Sequence, residues 1–386
     1  MTVFLIIVGL TGSLLAFHDD LDRWVCPSLY PPVQPNLRRL DMGELATRAQ
    51  TLLPNALVTG IYTRDPERAE IRYKALPEAD LAVKQNDSLL LDPYTGDELG
   101  RRKWGEISQG SINLMPFIYA LHYRLALGSF GMWLLGIVAV IWTLDCFIGF
   151  YLTLPQRRTS SSATAATTRR TLWQRWSPAW RIKRAASPTR LNFDLHRAGG
   201  LWLWLVLLVF AWSSVYMNLW DTVYTWSTRA VMDYRPYWTE LEKRPPGSSA
   251  PRMSWTAANE RAQTLIAEQA KAHGFSVEQA VSLRYYVDTA TYGYQVRSSR
   301  DIQDQRGHTR LFFDAATGEF KYLQLPSGQY NGNTVTSWLY ALHMANVFGL
   351  PWRIFVSVLG LLVTALSITG VLIWVRKRKI SRYQTN

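Results

Sequence analysis

Cysteine is scarce: Cys26 and Cys146 are the two in 386 residues. The first follows the opening apolar run and the second lies inside the next one. They are expected at opposite faces of a membrane, too far apart to bridge. No Cys-x-x-Cys-His occurs, which excludes covalent haem attachment of the c type. Histidine is also rare, six residues in all. Acids are missing from whole stretches: residues 155–197 carry ten Lys/Arg against Asp194 alone, and after Val375 come five Lys/Arg and no acid. The long segments 18–116 and 219–339 together balance 27 acids against 25 bases. The formal charge of +13 is therefore a topological signal and not a nucleic-acid footprint. Short basic loops stay in the cytoplasm, so both termini are expected inside and both long segments outside.

Apolar residues are concentrated in the runs 1–17, 130–154 (broken by Asp145), 199–219 and 354–375. Each is close to the roughly 20 residues a helix needs to cross hydrocarbon. The expected architecture is an integral membrane α-helical bundle of four spans, with the lipid bilayer as its first partner. The first run is short and is expected to continue as a helix toward Trp24. It lacks a basic n-region and an Ala-x-Ala site, which favours an anchor over a cleaved signal peptide. The expected division is a first span at 1–24, an outer domain at 25–115, and a histidine segment with the second span at 116–155. A basic cytoplasmic linker follows at 156–195, then the third span at 196–220 and a second outer domain at 221–337. A histidine segment with the fourth span at 338–375 and a basic tail at 376–386 complete the chain. The linker opens on a Ser/Thr/Ala-rich run at 159–168, solvated by composition. Trp173, Trp176 and Trp180 suit the membrane surface.

The chain repeats itself. Tyr119-Ala-Leu-His122 recurs as Tyr340-Ala-Leu-His343, and with that match Gly128 falls on Gly349 and Gly149 on Gly370. Arg48-Ala-Gln-Thr-Leu52 recurs as Arg261-Ala-Gln-Thr-Leu265, and Asp92-Pro-Tyr-Thr-Gly96-Asp97 as Asp314-Ala-Ala-Thr-Gly318-Glu319. Each half reads as span, outer domain, span, so the halves are parallel repeats about a pseudo-twofold axis along the membrane normal. The outer domains read as α+β. Helical spacing covers 40–53 and 254–273, with Asp41 and Ser254 placed to cap. Strand patterns cover 57–63, 71–75, 282–287 and 292–297. The Asp-x-x-Thr-Gly-acid element is a turn, with Asp closing a side-chain-to-backbone bond and Gly at positive φ.

His122 and His343 occupy equivalent positions ahead of the second and fourth spans, where Gly128 and Gly131, and Gly349 with Pro351, can break the helix. A pseudo-twofold relation brings them face to face at the outer membrane surface. That suits bis-His coordination of one planar macrocycle; a hydrogen-bonded pair copied by duplication is the competing reading. His273 reads as a helix C-terminal residue beside its dipole, and His308 as a solvated loop residue. Asp145 is an ionisable group within a span, either a helix contact or a proton-handling group. Arg124 and Arg353 flank the outer site and are candidate partners for haem propionates or interfacial anchors. Trp220, Tyr224, Trp226, Tyr234, Tyr237 and Trp238 form a candidate substrate platform just outside the third span.

These elements resemble the PepSY-associated transmembrane family, especially its members like the ferrioxamine reductase FoxB. The matching residues are Leu10-Thr11-Gly12 through Ala16-Phe17-His18-Asp19-Asp20-Leu21-Asp22, Leu121-His122 with Gly128, and Leu195-His196-Arg197. The most specific block runs from Leu342-His343 through Phe348-Gly349-Leu350-Pro351-Trp352-Arg353 to Thr369-Gly370-Val371-Leu372-Ile373-Trp374. The resemblance implies an inner-membrane protein with two α+β PepSY-like periplasmic domains. It also implies two b-type haems, at least one being required, and reduction of a ferric siderophore. His196 is then a natural ligand of an inner haem, but the histidine expected to open the first span falls before Met1, a departure from the family pattern. His18 is a weaker substitute, since it belongs near the outer surface and His196 near the inner one.

The function these features imply is transfer of electrons, from a quinol or a cytoplasmic reductase, to a ferric siderophore at the periplasmic face. Two other classes remain: a membrane-anchored PepSY binding or regulatory module without redox chemistry, and an inner-membrane transporter of the chelate or of iron.

Overall fold

The computed structural model describes residues 1–155, 171–245 and 252–384. The expected solvated run at 159–168 lies outside the described residues. The principal helices are α1 (Thr2–Leu15), α2 (His18–Val25), α3 (Met42–Leu52), α4 (Leu114–Arg124), α5 (Gly128–Thr153), α6 (Pro188–Asn218), α7 (Trp255–His273), α8 (Asn331–His343) and α9 (Gly349–Gln384). The strands are β1 (Ala56–Tyr62), β2 (Ala69–Ala75), β3 (Ser88–Leu91), β4 (Glu98–Arg102), β5 (Val277–Tyr286), β6 (Thr291–Ser298), β7 (Thr309–Asp314) and β8 (Phe320–Gln324). The chain divides into a helical unit (Met1–Leu14, Leu121–Tyr224, Ile354–Asn386) and a sheet unit (Leu15–Ala120, Thr225–Arg353).

In the helical unit α5, α6 and α9 are each long and apolar enough to cross a membrane. The first run differs from expectation. α1 stops at Leu15 and α2 leaves it at 73°, so the helix does not run on straight to Trp24. Fourteen residues of helix rise about 21 Å, short of a roughly 30 Å hydrocarbon layer. Among the described residues three helices are therefore long and apolar enough to cross a membrane, and a fourth candidate exists only if the bent pair counts as one. Small residues set the helix packing, as expected where lipid offers no competing hydrophobic drive. A Cβ on Gly360 would stand 2.4 Å from the Gly9 carbonyl oxygen, and Ser357 donates to the Ser13 carbonyl at 2.9 Å; together they seat α1 on α9. Trp204 Nε1 donates to the Cys146 carbonyl at 2.8 Å and ties α6 to α5. The third span begins at Pro188, capped by Ser187, eight residues earlier than the charge pattern suggested. The basic tail continues α9 to Gln384.

The expected helix breaks are present. α4 ends in Leu125 and Ala126 at φ 53° and 54°, and Gly128 opens α5 at φ 60°; Ala345 and Phe348 at 53° and 60° precede Gly349 at 61° in the second copy. A Cβ on Gly131 would lie 1.8 Å from the Arg124 carbonyl oxygen, so glycine is required there. Asn218 donates to the Tyr123 and Met132 carbonyls at 2.8 and 3.1 Å; Tyr123 lies in the last turn of α4, where carbonyls lack helical donors.

The two expected outer domains fall within one sheet unit. Each half does build a four-stranded antiparallel meander with one helix, but the halves share a single eight-stranded sheet of order β4-β3-β2-β1-β5-β6-β7-β8. The seam is an antiparallel pairing of β1 with β5, placing Gly60 opposite Arg284, Ile61 opposite Leu283 and Tyr62 opposite Ser282. One hydrophobic core runs beneath both halves, with Ile61, Ile71, Leu89, Leu283, Leu311 and Phe313 all 0% exposed. α3 starts with a capping box between Asp41 and Glu44. α7 is capped by Ser254 and ends on left-handed Gly274, with His273 at its C-terminus as expected. Two of the repeated motifs clasp each other in each half. Asp92 accepts from the amides of Tyr94 and Thr95, and Asp314 from those of Ala316 and Thr317. Arg48 then donates to the Gly96 carbonyl at 3.2 Å and Arg261 to that of Gly318 at 2.9 Å.

Candidate functional site

His122 lies near the C-terminus of α4, and in the helical unit its ring meets α1. Nδ1 is 3.0 Å from the Thr11 hydroxyl oxygen. That hydroxyl spends its own proton on the Ile7 carbonyl at 2.7 Å, so it meets the imidazole as an acceptor. Nδ1 therefore carries the hydrogen and Nε2 the lone pair, the tautomer a neutral ligating imidazole needs. Next to Thr11, a Cβ on Gly12 would come within 3.0 Å of His122 Cε1; the missing side chain is what admits the ring.

The same construction recurs around His196 on α6. Its Nδ1 lies 3.1 Å from the Leu366 carbonyl and 3.1 Å from the Thr369 hydroxyl oxygen. Thr369 donates back to Leu366 at 2.9 Å. A carbonyl can only accept, so Nδ1 is again the protonated nitrogen. A Cβ on Gly370 would stand 3.2 Å from His196 Cε1. Sequence reasoning found both histidines and named Thr11-Gly12 and Thr369-Gly370 among the residues of the resemblance, but gave those four no role at the histidines. The signal was available, since the Thr-Gly dipeptide occurs in both α1 and α9.

His343, the last residue of α8, is half-buried in the sheet unit. His18 is paired with Asp19 at 2.7 Å and stands edge-on to Tyr119, 6.3 Å between centroids. His308 differs from its expectation as a solvated residue: it packs on Tyr340 at 4.7 Å. The tyrosine of each repeated Tyr-Ala-Leu-His motif thus meets a histidine ring of its own unit. Among the described residues no three His, Cys, Asp or Glu converge as a bare metal ion would require.

Arg353 donates through Nε to the Ala16 carbonyl at 2.9 Å, pairs with Asp20 and lies over the Phe17 ring. Those contacts make it a clamp on the turn between α1 and α2. Arg124 lies over Tyr123 at 5.1 Å. Asp145 is half-buried on α5.

The six aromatic residues of the candidate platform are divided between the two units. Tyr224, 0% exposed, packs on Trp212 and Tyr216 in the helical unit, and Trp220 lies half-buried beside it in sequence. In the sheet unit Tyr234 is buried and Trp226 is 77% exposed. Tyr237 stacks on Phe312 at 4.7 Å, with Trp238 beside it at 5.2 Å. A shallow cavity of about 460 Å³ is lined by Arg229, Met232, Asp233, Tyr234, Arg235 and Glu240.

Comparison with known proteins bears on the whole chain. No curated protein matches it. A family model described as PepSY-associated TM region matches residues 1–377. The chain, with three helices long and apolar enough to cross a membrane and an antiparallel sheet, belongs to the PepSY-associated transmembrane family.

Proposed function

We propose that the chain is a haem-bearing reductase of the bacterial inner membrane, similar to the FoxB-type enzymes, which delivers electrons to a ferric siderophore at the periplasmic face. The observation that carries this reading is the pair of histidine cradles. His122 and His196 each have Nδ1–H committed to a threonine hydroxyl and a glycine cleared against the ring. Metal-ligating histidines are typically fixed in this way by the hydrogen bond at the other nitrogen. The residues fit the group: neutral imidazoles supply the donor atoms, and the glycines admit the rings against α1 and α9. His122 would hold an outer haem b and His196 an inner one, with His343 of the sheet unit a further candidate ligand, and a haem so held carries single electrons.

The chain's own part is to fix tautomer and ring orientation through Thr11 and Thr369. The basic stretches at 155–197 and after Val375 orient the sheet unit toward the periplasm. On the substrate side, hard oxygen ligands hold ferric iron far more tightly than ferrous iron. One electron then releases the metal with the chelator intact.

The test is the visible spectrum of the detergent-purified chain. A Soret band with sharp α and β bands on dithionite reduction is expected, with the outer component lost in His122→Ala. Reduced protein mixed anaerobically with a panel of ferric siderophores, ferrioxamine among them, should reoxidise as a ferrous trap takes colour. A colourless protein, or a haem that no ferric chelate reoxidises, overturns the reading.

A further inference from the structure

The sheet has a second face, turned away from α3 and α7, and its residues follow from the register. One row across it runs Arg102, Ser88, Arg72, Gly60, Arg284, Gly293 and Phe312. The next contains Glu70, Tyr62, Ser282, Gln295 and Arg310. Ser88, Phe312 and Ser282 on these rows are buried, while the first row places Arg72 and Arg284 on the two sides of Gly60 at the β1/β5 seam, like charges that strand pairing ordinarily avoids. Gly60 leaves the space that Arg284 uses, since a Cβ there would lie 3.3 Å from Arg284 Cγ. Arg284 lies over Tyr286 at 4.9 Å and Tyr62 at 5.9 Å, with no carboxylate partner among the described residues. Arg310 lies over Tyr237 at 5.4 Å.

Two loop arginines add to the cluster. Asp19 takes Arg306 at 3.2 Å and Arg64 at 4.0 Å, so a single carboxylate serves two guanidiniums. Arg306 is near enough for its charge to be the first cause that lowers the Arg64 pKa. Glu70 is taken up by Arg72 at 2.7 Å. Arg72 also reaches Asp87 at 3.8 Å; among the described residues the three guanidiniums of Arg64, Arg284 and Arg306 have one ion-paired carboxylate between them, Asp19. The arginines remain reachable, with side-chain exposures of 40% for Arg64, 29% for Arg72 and 21% for Arg306. Cations stacked on tyrosines and short of counter-charge present both a positive field and flat apolar surface.

Resting on the reductase reading above, we propose that this face binds the siderophore, and that the preferred substrates are anionic ferric chelates, tris-catecholate or hydroxycarboxylate in type, over neutral or cationic trihydroxamates. Guanidiniums pair with the chelate's anionic oxygens, and the tyrosines cover its planar rings.

The experiment uses gallium(III) chelates, which bind like the ferric ones but accept no electron under these conditions, so binding is read without the haem. The full chain in detergent is titrated with gallium tris-catecholate and with a cationic gallium trihydroxamate, followed by tryptophan fluorescence. The anionic chelate should bind at least tenfold more tightly, and its affinity should fall with salt. Arg284→Gln and the double variant R64Q/R306Q should each weaken it by tenfold or more while leaving the trihydroxamate unaffected; circular dichroism checks that both variants fold. Equal binding of the two chelates, or arginine variants that bind normally, overturns the proposal. So does displacement of the chelate by anionic phospholipid vesicles but not by neutral ones, which would mark the face as a lipid contact. Tight arginine-dependent binding by a chain that carries no haem would instead sustain this site and remove the reductase reading.

Discussion

Thr11 accepts a hydrogen bond from His122 Nδ1 at 3.0 Å because its own proton is already engaged by Ile7. Thr11→Val keeps the volume and removes the acceptor. The imidazole then loses what fixes its tautomer, and loss of such supports typically weakens metal-site affinity about 10- to 100-fold. Haem retained by the purified variant should fall accordingly, with Thr11→Ser restoring it. Equal haem content and an unshifted spectrum in Thr11→Val would mean the hydroxyl is incidental.

Gly370 and its repeat equivalent Gly149 provide an internal control. A Cβ on Gly370 would stand 3.2 Å from His196, whereas one on Gly149 meets nothing within 4 Å. Gly370→Val should displace the His196 ring and remove the inner haem's contribution to the spectrum. Gly149→Val should change neither haem. Were both variants to behave alike, the ring contact would not be the cause.

Much of the sheet unit was legible in the sequence. The caps Asp41 and Ser254, the turns at Gly96 and Gly318, and the strand alternation in β1, β2, β5 and β6 are local chemistry, and local chemistry is written in short windows. β3 was not legible: Ser88, Leu89, Leu90 and Leu91 are all buried, so no alternation marks it. The seam was equally silent, because any two edge strands with compatible faces can pair, and nothing near Ile61 or Leu283 names its partner. In the candidate site the histidines stood out by rarity and duplication. The threonines and glycines that position them are common residues whose meaning lies in contacts between distant helices.

The shared sheet predicts shared unfolding. Leu283 on β5 is fully buried opposite Ile61 on β1. Leu283→Ala leaves a cavity at the seam and should cost about 2–5 kcal/mol. Limited proteolysis along a denaturant series should show residues 42–102 and 255–324 becoming cleavable together. Two independent domains would show the second segment opening while the first stays protected.

Acid should destabilise the sheet unit in two stages. Burial, followed by the charges of Arg310 and Arg306, holds His308 well below the usual imidazole range. Its folded pKa is depressed, so the unfolded chain takes up this proton first. Its contribution is complete above about 6.5 and is lost as pH falls below that value. Glu70 follows at lower pH. Burial pushes it up, but Arg72, Arg102 and a hydrogen bond from Ser88 outweigh burial and hold it at about 2. Its contribution is complete above about 4.3 and is lost between there and about 2. Within its window each group can remove up to about 1.4 kcal/mol per pH unit. The melting temperature of the full chain in detergent, followed from pH 7.5 to 3, reads both stages. His308→Phe, which keeps a ring against Tyr340, should flatten the first stage and leave the second. Glu70→Gln should lower stability at pH 7 and flatten only the second. A His308→Phe chain that still loses stability between pH 7.5 and 5.5 at the unmodified rate would place the responsible proton elsewhere.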